Sequence, residues 1–84
     1  MIKILYFASV RERLNKSEET MELPADINTV AKLVALLAAK NPDFEKLNKG
    51  GQPLLVSVNQ TVADGSASLV ENDEVAFFPP MTGG

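Results

Sequence analysis

An α+β fold, with one mixed sheet of about five strands on one main helix, follows from three features of the sequence. Short segments of strand character stand at both ends of the chain. Between them lies one apolar stripe of helical period, Val30, Leu33, Val34 and Leu37. The first and last strand segments are separated by far more chain than a hairpin needs. They are therefore expected to lie side by side and parallel in the middle of the sheet.

Residues 2–8 read as the first strand, with Ile2, Ile4 and Tyr6 on one face and Lys3, Leu5 and Phe7 on the other. Tyr6 is large enough to enter the core with its hydroxyl at the edge. Ser9 is a candidate cap for a short helix over residues 10–14, ending near Asn15. Residues 18–23 pair back on the first strand. Pro24 stops them, because it has no N–H for a ladder. Asp26, Asn28 and Thr29 all suit an N-cap, and one of them starts the main helix, Val30–Lys40. Lys40 suits the negative end of the helix dipole. Asn41-Pro42 ends the helix, because a residue before proline avoids helical backbone.

Residues 43–48 add a short helical turn, with Phe44 and Leu47 closing one end of the core. Gly50-Gly51 is a turn. A phosphate loop there would need a preceding strand and a following Gly-Lys-Ser/Thr, and has neither. Residues 54–59 form a strand with Leu54, Val56 and Val58 on one face. Asn59-Gln60 makes a tight connection to the extended Thr61–Ala63. Asp64-Gly65 turns, residues 68–70 are short and apolar, and residues 71–73 turn into the last strand, Glu74–Phe78. Alternation assigns Ile2, Ile4, Val56, Val58, Val75 and Phe77 to the helix side. It assigns Lys3, Leu5, Phe7, Ser57, Asn59, Ala76 and Phe78 to the outer side. Phe7 beside Phe78 on an outer face points to a partner, since exposed apolar patches mark interaction sites. Arg11 and Arg13 read as a solvated pair, with Arg11 a further candidate for partner binding.

Composition narrows the chemistry. The chain has 84 residues, net charge −3, and neither cysteine nor histidine. Disulfides, thiolate metal sites, imidazole acid–base work and Ser-His or Cys-His catalysis are excluded. Carboxylates, lysines and Tyr6 would need large pKa shifts to move protons near neutral pH, so autonomous catalysis is not expected. No basic cluster suits nucleic acid or an anionic membrane. No apolar run is long enough to span a bilayer. Met1 leads straight into a strand pattern rather than a signal peptide, so a cytoplasmic protein is expected.

The last residues differ in character from the body, so the chain divides into a body of residues 1–78 and a tail of residues 79–84. Pro79 and Pro80 favour an extended backbone and cannot continue a ladder. Thr82, Gly83 and Gly84 then leave the tip slender, and glycine lets backbone enter a narrow slot. Frayed termini are common, but a frayed end has no need to be stiff at its base and bare at its tip. The tail reads as a substrate for another enzyme, with the Gly84 carboxylate as its reactive group.

The ending Phe77-Phe78-Pro79-Pro80-Met81-Thr82-Gly83-Gly84, after Asn72-Asp73-Glu74-Val75-Ala76, closely resembles that of the small subunit of molybdopterin synthase. Residues 1–8 with Val10-Arg11-Glu12, and Val58-Asn59-Gln60-Thr61-Val62, are similar as well. The resemblance spans the chain and is weakest over residues 15–53. A terminal Gly-Gly is common to ubiquitin-like carriers, whereas Phe-Phe-Pro-Pro-x-Thr-Gly-Gly is much more specific.

The resemblance implies a β-grasp, ubiquitin-like fold and a sulfur-carrier cycle. An E1-like enzyme adenylates Gly84 with ATP, and a sulfur donor protein converts it to a C-terminal thioglycine. The large synthase subunit receives the tail, in an assembly of two small and two large subunits. The sulfur passes to cyclic pyranopterin monophosphate. The resemblance also places Phe7, Val62 and Phe78 on the partner face, and Pro80, Met81, Thr82 and Gly83 along the inserted tail. No cofactor or metal is expected on this chain alone. Sulfur delivery for thiazole or cysteine synthesis, protein conjugation through Gly84, and plain interaction remain alternatives. The identity of the partner, Gly-Gly remnants on other proteins and tolerance of tail deletion distinguish them.

Overall fold

The computed structural model describes residues 1–49 and 54–79. Five strands make one sheet: β1 (Ile2–Tyr6), β2 (Glu18–Met21), β3 (Leu55–Val58), β4 (Thr61–Ala63) and β5 (Glu74–Phe78). Their order is β2-β1-β5-β3-β4, with β1 and β5 parallel and the other pairs antiparallel. The expected central parallel pair is therefore present. The long connection between them holds all three helices, α1 (Ala8–Leu14), α2 (Val30–Lys40) and α3 (Pro42–Asn48).

Helix α2 starts and stops where its sequence signals stand. The Thr29 hydroxyl accepts the Lys32 N–H, which satisfies one of the orphan donors at a helix start. The Val30 and Ala31 N–H groups are taken by the carbonyls of Ala67 and Gly65, at 3.0 and 2.9 Å. The β4–β5 connection thus completes the cap, and Gly65 lies close to Ala31. At the other end the Asn41 side chain accepts from Asp43 N–H. One residue therefore ends α2 and caps α3. The short turn expected over residues 43–48 is a seven-residue helix with Pro42 in its first turn, where a missing N–H costs nothing.

The core fills the space between the inner sheet face and the helices. Ile2, Ile4, Val75 and Phe77 from the sheet meet Val30, Leu33 and Leu37 of α2, Phe44 of α3 and Val10 of α1. Phe77 packs edge-on to Phe44 at 5.3 Å and parallel to Tyr6 at 6.2 Å, both favoured aromatic geometries. The Tyr6 hydroxyl reaches out of this core and donates to Glu19 at 2.6 Å.

Two local expectations change. Helix α1 begins at Ala8, with Phe7 as the capping residue and no side-chain cap, so Ser9 lies inside the first turn. Ala8 has a φ of 52°, and this left-handed step ends the strand at Tyr6 and starts the helix two residues earlier than expected. Strand β2 ends at Met21, short of Pro24. The Gly50-Gly51 turn lies outside the described residues. Among the described residues no helix is long and apolar enough to cross a membrane.

Candidate docking face and tail base

Strand register places the outer-face residues in rows. Leu5 of β1, Ala76 of β5, Ser57 of β3 and Val62 of β4 align across the sheet. The next row contains Leu55 opposite Phe78. Phe7 follows β1, and its N–H donates to the Phe77 carbonyl at 3.2 Å. Its ring therefore lies against Phe78, with the two planes 4° apart and the centroids at 4.9 Å. The Phe7 carbonyl also accepts from Val10 and Arg11. The backbone of Phe7 is tied at both ends before any partner arrives.

The patch is apolar and open. Phe7 and Leu55 are each 40% exposed and Val62 is 84% exposed, which is far from core burial. Ser57 and Ala76 point the expected way but are only 7% and 5% exposed. The simple outward assignment fails for these two because larger neighbours stand around them. They form the floor of a depression of ≈ 330 Å³. Leu5, Phe7, Phe78 and Val62 wall it on the apolar side, and Gln60 and Glu74 stand at its polar end. That space is about ten times the roughly 30 Å³ share of a water molecule.

The polar end is built from backbone upward. Asn59 and Gln60 have φ of 50° and 69°, the sign pattern of a two-residue type I′ turn. The Asn59 N–H donates to the Glu74 carbonyl at 2.7 Å, and the Glu74 N–H donates to Asn59 Oδ1 at 3.0 Å. Asn59 Nδ2 donates to Asp73 Oδ1, while Asp73 Oδ2 accepts the Val70 N–H. Buried Asp73 is thus satisfied on both oxygens, and the β3–β4 turn is clipped to the start of β5.

Of the residues singled out from sequence, Phe7, Val62 and Phe78 meet on this face. Arg11 is exposed on α1 and stands outside the residues lining the depression. Pro80, Met81, Thr82, Gly83 and Gly84 lie outside the described residues, while Pro79 continues from β5 half-buried. Leu55, Gln60 and Glu74 escaped the sequence reading. Leu55 carried a signal, being apolar between inward-facing Leu54 and Val56. Gln60 carried another, since Asn-Gly is the cheapest occupant of such a turn.

A second cleft, lined by Tyr6, Lys16, Glu19, Leu37, Lys40, Asn41 and Phe44, lies between the end of β1, β2 and the junction of α2 with α3. Burial, reinforced by the hydrogen bond to Glu19 and its charge, pushes the Tyr6 phenol well above its usual range. A phenol held neutral and already donating to a carboxylate is a structural strut. No cluster of potential metal ligands occurs among the described residues.

Comparison with known proteins agrees with this geometry. The model of the ThiS family matches residues 4–84. The molybdopterin synthase sulfur carrier subunit of Escherichia coli (strain K12) is 43% identical over 84 residues, covering all of both chains. The crystal structure of SAMP1 from Haloferax volcanii superposes with a TM-score of 0.80 at 24% identity, covering 99% of this chain and 98% of that one. A chain in the complex of subunits 1 and 2 of the molybdopterin-converting factor from Helicobacter pylori 26695 gives a TM-score of 0.66 at 17% identity. It covers 99% of this chain and 97% of that one. At these identities the structures speak to fold, which is the ubiquitin-like β-grasp. The chain belongs to the ThiS family and, within it, to the molybdopterin synthase sulfur carrier subunits.

Proposed function

We propose that this chain carries sulfur on the α-carboxylate of Gly84 and delivers it inside the large subunit of a molybdopterin synthase. A C-terminal carboxylate has a pKa of about 3.3–3.7, so it is ionised at neutral pH and resists nucleophiles. An E1-like enzyme joins it to the AMP portion of ATP, releasing pyrophosphate and creating an acyl group with a good leaving group. Sulfur from a donor protein displaces AMP and leaves a C-terminal thioglycine. That thiocarboxylate is a nucleophile no ordinary side chain supplies. Its sulfur bonds to cyclic pyranopterin monophosphate to give a thioester, and water then cleaves the acyl–sulfur bond, leaving the sulfur on the pterin and returning Gly84 as a carboxylate. A dithiolene needs two sulfurs and each tail carries one, so two deliveries complete a product. An assembly of two small and two large subunits, working in the cytoplasm, suits that requirement.

The observation that supports this reading is the parallel Phe7–Phe78 stack at the base of the tail. Docking through that face holds the chain one residue from where the tail begins, and such confinement supplies proximity. The part of Pro80, Met81, Thr82 and Gly83 is reach and slenderness, and Gly84 brings the reacting atom. ATP is bound by the activating enzyme rather than by this chain. Arg11 is assigned a flanking contact with a partner.

Deleting Gly84, or adding a residue after it, tests the assignment. Either change should leave the melting temperature unmoved and abolish sulfur loading. Deletion withdraws the carboxylate by about 3.3–3.6 Å, comparable with the whole 3–3.5 Å or so of approach that reaction requires. The readouts are ATP-dependent AMP release with the activating enzyme and intact mass, which shows one oxygen replaced by sulfur. Full loading of the variant lacking Gly84 refutes the assignment. Gly-Gly remnants on other cellular proteins would instead point to conjugation.

A further inference from the structure

We infer that the outer-face depression receives one arginine side chain of the large synthase subunit, its stem over Ala76 and its guanidinium held by Glu74 and Gln60. The inference rests on the docking reading above and adds the chemistry of the contact.

The depression has two unlike ends. Its floor is Ala76 and Ser57 and its walls are Leu5, Val62 and the stacked Phe7–Phe78 pair, which suit a hydrocarbon stem and a flat group. Its other end presents the half-buried Glu74. Lys3 is the cross-strand neighbour of Glu74, yet its ammonium lies 3.6 Å from Glu18. Glu74 forms no ion pair among the described residues. A carboxylate bordering an apolar hollow selects a cation that brings its own apolar stem. Arginine matches best, since its planar fork donates to a carboxylate and an amide oxygen at once and stacks on aromatic faces.

Gln60 supplies the second, independent observation. It holds a φ of 69° in a turn where glycine is the cheapest residue. A left-handed backbone is costly for residues with a Cβ, and such outliers gather at ligand-binding sites. The side chain kept at this cost stands at the rim beside Glu74, because Asn59 ties the turn to the start of β5.

The experiment titrates the chain with purified large synthase subunit and reads Kd as a function of salt. Glu74→Gln should raise Kd at least tenfold and flatten its salt dependence, because the screened charge pair is gone. Gln60→Gly should raise the melting temperature and weaken binding, opposite signs that a purely structural residue does not give. Phe78→Ala should weaken binding and keep the salt dependence. An unchanged Kd for Glu74→Gln beside a weakened Phe78→Ala overturns the arginine contact and leaves docking through this face standing. If neither variant changes Kd, the docking reading itself falls.

Discussion

Phe77 and Phe78 are neighbours in one strand with the same side chain and opposite work. Phe77 is 1% exposed, clamped between Tyr6 and Phe44 under the helices. Phe78 is half-buried on the other face and touches one aromatic partner, Phe7. The inner face is covered by the chain's own helices, so its apolar area already contributes to folding. The outer face is covered by nothing among the described residues, so its apolar area remains available for binding. Within each strand, the β-grasp sheet thus separates covered from open apolar area by the parity of a residue number.

The largest effect should come from breaking the inner side. Phe77→Ala should cost about 3–5 kcal/mol, as for other large-to-small core changes. At roughly 4–8 °C per kcal/mol in a domain this small, a thermal melt should show loss of the folded state near physiological temperature. A modest shift would mean that Phe44 and Tyr6 collapse onto the vacancy and that the inner face is softer than its packing suggests.

Phe78→Ala comes next and should separate the two faces. Binding to the large synthase subunit should weaken by about 2 kcal/mol or more, as for buried interface aromatics. Stability should fall far less, by about the 0.5–1.5 kcal/mol of an aromatic pair plus a little area. Calorimetric titration beside a melt reads both quantities. Equal losses in the two would erase the distinction between the faces.

Tyr6→Phe probes the rim of the inner side. Removing the hydroxyl that donates to Glu19 should cost about 1 kcal/mol near neutral pH, the usual net worth of a hydrogen bond. The pH dependence has a definite sign. Burial raises the folded-state phenol pKa above its ordinary value of 10.0. Above pH 10 the unfolded chain releases this proton while the folded chain keeps it, so stability falls as pH rises. Comparing denaturant midpoints of the two proteins from pH 8 to 11 isolates the effect. The gap in stability between them should shrink above pH 10, and a constant gap would show that the phenol is not held neutral by the fold.

Ala8→Gly should have the smallest effect, and a favourable one. Relief of the left-handed backbone, about 1–2 kcal/mol, outweighs the greater freedom of glycine in the unfolded chain, about 0.4–1 kcal/mol. A rise of a few degrees in Tm is expected, whereas a fall would mean that the Ala8 methyl group packs usefully beneath Phe7.

Local sequence signals settled several elements. The cap candidates Asp26, Asn28 and Thr29 together with Asn41-Pro42 bound α2 at Val30–Lys40, as observed, and the structure selects Thr29 among the three. The alternation of residues 2–6 and 74–78 assigned the core side of both central strands, and the ending at residues 77–84 carried the family resemblance. Periodicity and caps act within a few residues, so they survive without knowledge of the fold. The signals fail where the cause is distant. Ala76 and Ser57 are buried on an outer face because β1, β5, β3 and β4 align Leu5 and Val62 around them. The start of α2 is completed by carbonyls of Gly65 and Ala67, more than 30 residues along the chain. The clip from Asn59 through Asp73 joins two turns whose partnership no local pattern announces. Alternation tells a residue which way to point, but only strand order and register decide what stands beside it. The depression and its polar end exist at that second level alone.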